Sequence, residues 1–175
     1  LILRLLLCGP LVASAVGGCA ATSPTAPAST VSAAVQQAAS DVQLLATGLA
    51  ALTPLLTSLG VPAATVTKIQ GYISQVQTDA GQVSTLVAAG TTPDVGTVQD
   101  IAKLVGSIAQ AAQGALPASP STEAAIAIVQ AAVSLAPVIL SAFGVTAAAA
   151  AAPPLPAPFY SPDDARAILR RAAGS

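Results

Sequence analysis

A chain of 175 residues has room for one ordinary domain and an attached targeting segment. With 54% hydrophobic and only 7% charged residues, its composition argues against a long disordered chain and fits either a membrane setting or a tightly self-packed bundle. A net charge of −1 lacks the basic footprint of a nucleic-acid binder, and the two cysteines, Cys8 and Cys19, both sit in the first apolar stretch and supply no disulfide framework.

At the amino terminus, the single cation Arg4 precedes an uncharged apolar run the size of a signal-peptide hydrophobic region. Gly9, Pro10, Gly17 and Gly18 interrupt this run, which disfavours a membrane span of about 20 residues. It ends in Val16-Gly17-Gly18-Cys19. That segment resembles the lipobox of bacterial lipoproteins, an aliphatic residue and two small residues ahead of a cysteine; the resemblance covers the amino-terminal segment alone. It implies cleavage between Gly18 and Cys19, with residues 1–18 removed as signal peptide. It also implies covalent lipid on Cys19, with acyl chains such as palmitate, and no other cofactor is expected. Ala20 stands where an aspartate would imply inner-membrane retention, so the periplasmic face of the outer membrane is the favoured location in the cell envelope. Residues 19–29, with Pro24 and Pro27, read as a tether.

The body, residues 30–144, reads as a helical bundle. Apolar residues recur at Val35, Ala38, Val42, Leu45, Leu49, Leu52, Leu56 and Leu59, alternating three and four, as on a helix that buries one stripe. Ser29 or Thr30 is the expected cap, Gly60 the expected end, and Pro54 the expected break. A second helix has Pro62 in its first turn, a stripe at Val66, Ile69, Ile73, Val76, Ala80, Val83 and Val87, and Gly90 at its close. The third opens at Thr92-Pro93-Asp94 and repeats the stripe at Val98, Ile101, Val105, Ile108, Ala112 and Ala115.

A fourth segment, residues 124–143, is apolar on nearly every face. It suits either a helix buried at the centre of the bundle or a bilayer span; the buried helix is preferred. Residues 145–160 form an Ala/Pro-rich linker. Residues 161–175 form a short helix separate from the bundle, with Ser161-Pro162-Asp163-Asp164 at its start and Arg170 and Arg171 in its last turn. The expected fold is all-α, an antiparallel Ala-rich bundle of about four helices plus this short C-terminal helix.

Chemistry is sparse. The absence of histidine removes histidine-based triads and metal sites, and no metal ligand set is expected. Asp94, Glu123, Asp163 and Asp164 read as first-turn helix residues, while Asp41, Asp79 and Asp100 read as solvated. A hydrolase would need two of these last three to face one cleft. Gly71 and Gly81, and likewise Gly96 and Gly106, sit ten apart in helices, a spacing read as close backbone approach. Arg166, Arg170 and Arg171 are candidate docking residues for an acidic partner or anionic headgroups.

The expected function is that of a non-enzymatic, membrane-anchored envelope lipoprotein with a structural or protein-interaction role. Its partners are membrane lipid through Cys19 and an envelope protein or a second copy, with no nucleic acid. Two alternatives compete: a membrane-active, holin-like or spanin-like phage-type protein using the 124–143 helix, and a carrier holding an apolar ligand inside the bundle.

Overall fold

The structure is a computed structural model that describes residues 31–116, 120–145 and 160–174. In chain order it comprises α1 (Ala33–Ala50), α2 (Leu52–Ser58), α3 (Ala63–Ala88), α4 (Val95–Ala115), a 3-10 turn (Pro120–Thr122), α5 (Glu123–Ala142) and α6 (Pro162–Ala173). The fold is all-α among the described residues. Its core is the one the heptad spacing predicts: Val35, Ala38, Val42, Leu45, Leu49, Leu52 and Leu56 are buried, and so are Val66 to Val83 and Val98 to Ala112 at the stripe positions.

Local chemistry sets the helix ends. Ser32, rather than Ser29 or Thr30, caps α1 by accepting from the Val35 amide. The break expected from Pro54 falls earlier, at Ala51, so Pro54 lies in the first turn of α2, where a missing N–H costs nothing. Asp94 is the cap of α4 rather than a first-turn residue, accepting from the Gly96 amide. Helices α2, α3 and α5 end alike, at glycines with φ of 74°, 74° and 75°. In each, the amide of the following residue bonds back five positions: Val61 to Leu56, Thr91 to Leu86 and Val145 to Leu140 all close the same six-residue turn.

Helices α1, α3, α4 and α5 pack antiparallel in succession. Gln43 of α1 donates to the Ala80 carbonyl of α3 at 3.1 Å. Helix α5 is the buried helix of the group. Residues Ala131 to Ala136 are all buried, six in a row. Because a turn holds 3.6 residues, α5 is covered on every side at that level. Helices α1, α4 and α6 supply that cover.

The separate terminal helix is corrected by the structure. α6 packs on both α1 and α5, with Ala165 and Leu169 fully buried. The Tyr160 amide donates to Ser134 Oγ at 3.2 Å, and Ser134 Oγ donates to the Gln130 carbonyl at 2.8 Å, which seats the start of α6 against the middle of α5. The apolar spacing Ala165, Ile168, Leu169, Ala172 is an i, i+3, i+4, i+7 stripe that buries one side of an otherwise charged helix.

The expected capping of α6 is present. The Asp164 amide donates to Ser161 Oγ, Pro162 occupies the first turn, and Asp163 with Asp164 faces Arg170 and Arg171 across the dipole. Ser161→Ala is expected to lower stability by about 1 kcal/mol. Hydrogen exchange should place that loss in α6 and leave α3 and α4 unchanged.

Candidate functional site

The sequence singles out Gly18, Cys19, Arg166, Arg170 and Arg171. Gly18 and Cys19 lie outside the described residues. The three arginines have different fates because α6 presents them to different surroundings.

Arg166 points into the bundle, with 17% of its side chain exposed. Its Nε donates to Asp41 Oδ1 at 2.8 Å and its Nη2 to Asp41 Oδ2 at 2.7 Å, a two-pronged pair between α6 and α1. Its Nη1 donates to Asp163 at 2.8 Å, and Gln37 Nε2 adds a bond to Asp41 Oδ1 at 3.1 Å. The hydrogen bond to Asp41 is the main cause that raises the guanidinium pKa above its ordinary value, with Asp163 contributing less. Arg166 therefore stays charged and committed to the fold. Its reading as a docking residue is corrected.

Arg170 and Arg171 are exposed in the last turn of α6. Asp41 meets Arg166 and, further along, Gly48 meets Leu169, so α6 runs parallel to α1. These arginines thus lie toward the end of the bundle opposite the α1 amino terminus, roughly 30 Å away at the rise of a helix. That is several times the screening length of about 8 Å in physiological salt. Arg171 borders an open groove of about 290 Å³, formed with Leu55, Ala124, Ala127, Ile128, Ile168 and Ala172.

The acids are rearranged too. Asp41 and Asp79 are 2% and 8% exposed, so their reading as solvated is corrected. Asp79 accepts from Gln75 Nε2 at 2.8 Å, while Asp100 is exposed and bridges to Lys103 at 2.9 Å. Asp79 and Asp100 line the same cleft between α3 and α4, of about 360 Å³, together with Gln75, Thr97, Lys103 and Leu104. Two carboxylates therefore face one cleft, but an amide engages the first and an ammonium the second. No group of three or more Cys, Asp or Glu side chains is placed to hold a metal among the described residues.

The signal that would have found the buried acids is positional. Asp41 falls between Ala38 and Leu45, and Asp79 between Val76 and Val83, each at the three–four spacing of its helix's apolar residues. A lone acid on such a face needs a partner. For Asp41 the partner is 125 residues away in sequence.

Fold and site together define an all-α bundle closed by a buried ion pair and flanked by open grooves. Comparison with known proteins finds no matching family model, and no curated protein or solved structure that is significantly similar.

Proposed function

We propose that the chain is a non-enzymatic lipoprotein of the bacterial cell envelope. Lipid on Cys19 holds it to a membrane, on the periplasmic face of the outer membrane by preference. Its bundle has a structural role or meets another protein or a second copy. The observation that carries this reading is Val16-Gly17-Gly18-Cys19 at the end of an uncharged apolar run, about a dozen residues ahead of α1 in the sequence. About a dozen residues separate Cys19 from the Ser32 cap, a leash of at most about 45 Å. Several acyl chains hold a protein stably where one holds it only reversibly.

The test is intact mass and detergent partitioning of the protein expressed in a bacterial host, beside Cys19→Ala. The wild type is expected to carry added lipid mass and enter the detergent phase, and Cys19→Ala to remain aqueous. A wild type without added mass sinks the anchor.

A membrane-active role using α5 is the second reading. In its favour, α5 is 20 residues long with a mean hydropathy of 2.1. It requires α5 to leave the bundle that covers it, and it predicts that Cys19→Ala stays in the membrane.

A further inference from the structure

Two large apolar side chains stand out as exposed among the described residues: Leu86, 36% exposed, and Val95, 45% exposed. They flank the turn that joins α3 to α4. The three glycine-terminated helices provide an internal comparison. After α2 and after α5, the residues joined by the turn-closing bond are apolar pairs, Val61 with Leu56 and Val145 with Leu140, and all four are buried. After α3 the same bond forms at 2.9 Å, but Thr91 takes the apolar position and Leu86 is left exposed. The backbone motif is kept while its customary apolar contact is missing.

The surroundings continue the pattern. Ala88, Ala89, Thr91 and Thr92 are exposed. Between residues 80 and 99 the only charge is Asp94, whose carboxylate accepts from the Gly96 amide at 2.9 Å. The turn therefore offers a small, nearly uncharged apolar tip. Its position in the bundle narrows what it meets. Gln36, in the first turn of α1, lines a groove with Val87 and Ala88, so the tip lies beside the point where the chain enters α1. Cys19 is about a dozen residues upstream, within about 45 Å of contour.

We infer that the α3–α4 turn is a lipid-contacting tip that seats Leu86 and Val95 on the surface of the same membrane that holds Cys19. The inference rests on the anchor reading above. The surface it fits is zwitterionic: no lysine or arginine lies in the turn, and Lys68, Arg170 and Arg171 lie toward the opposite end of the bundle. Two partly exposed side chains make a weak contact on their own. A short tether raises the effective concentration enough for that contact to orient the bundle.

The experiment uses the acylated full chain, whose Cys19 thiol is consumed by lipid, in phosphatidylcholine vesicles. Nitroxide labels are placed singly at Leu86→Cys, at Val95→Cys and, at the far end of the bundle, at Glu123→Cys. All three positions are exposed, and circular dichroism checks that each variant keeps its helices. Oxygen collision relative to a water-soluble nickel chelate is expected to be several-fold higher at 86 and 95 than at 123. Equal ratios at all three positions overturn the tip and leave the anchor standing. Shielding of 86 and 95 from both reagents also overturns it, because protein then covers the turn. Lipid mass absent from Cys19 is a different failure, removing the anchor reading and the tip with it. Leu86→Ser with Val95→Ser is expected to keep the chain on the vesicle while raising the rotational mobility of the label at 123.

Discussion

Asp41→Asn is expected to lower the unfolding free energy by about 3 kcal/mol, the lower end of the cost of breaking a buried ion pair. Asp41 is nearly inaccessible, and its carboxylate takes two prongs from Arg166 and an amide from Gln37. Asparagine keeps the shape but loses the negative charge and turns one acceptor into a donor facing the guanidinium. The charge on Arg166 persists, because no accessible pH removes it, and it is left largely out of water. For a domain of this size the loss corresponds to a fall in midpoint of roughly 10 °C, measurable by thermal unfolding of the Cys19→Ala chain.

The partial exposure of Arg166 sets the lower end of that range, since solvent reaches its outer edge and Asp163 holds one nitrogen there. Two comparisons separate a lost ion pair from lost packing. Arg166→Lys keeps the charge and gives up the fork, so it should cost less than Asp41→Asn but more than nothing. Asp41→Leu together with Arg166→Met removes both charges and is expected to restore stability to near wild type or above it. If the double variant is as unstable as Asp41→Asn alone, the pair contributes through shape and not through an uncompensated charge. Hydrogen exchange in the single variants should rise first in α6, because that helix is tied to α1 by this one cluster and a narrow apolar stripe.

The parts of the fold legible in the sequence are those set by short-range periodicity. Alternating steps of three and four place Val35 to Leu56, Val66 to Val83 and Val98 to Ala112 in the core, and Gly60 and Gly90 mark ends because only a residue without a side chain takes φ near 74° cheaply. One stripe per helix leaves a second buried face unread. In α1 the residues Ala38, Asp41, Leu45 and Gly48 follow the same steps, and α6 covers that face at Asp41 and Gly48. Charge at Asp41 and the missing side chain at Gly48 both hide it from a search for apolar residues. Helix α6 looks detached for the matching reason, since five of its twelve residues are charged and its stripe consists of alanines with one isoleucine and one leucine. The candidate site is less legible still. A cysteine after two glycines offers a local motif to read, whereas Arg166 acquires its role only when two helices far apart in sequence meet.

Gly48 separates true close approach from helical glycine of no consequence, and substitution should split the two by sign. A Cβ built on Gly48 would lie 2.7 Å from Leu169 Cδ2, 3.1 Å from its Cβ and 3.4 Å from its Cα. The clash with Cδ2 alone could be relieved by a rotamer change. The 3.1 Å approach to Leu169 Cβ cannot be, so α6 itself must give by a few tenths of an ångström, and the two further methyls of valine add to the crowding. Gly48→Val is expected to cost about 2 kcal/mol through this overpacking, despite the better helix propensity of valine, and to release Leu169 from the groove. Gly71 and Gly81, expected from their spacing to mark another close approach, would have no neighbour within 4 Å of an added Cβ. Both lie inside α3 with ordinary helical backbone, so Gly71→Ala and Gly81→Ala should each stabilise by up to about 1 kcal/mol. Thermal unfolding of the three variants provides the test. Loss at 48 with gain at 71 and 81 supports a bundle held together at α6 by a knob in a glycine-floored hole. Gain at all three positions would mean that α6 does not sit against Gly48.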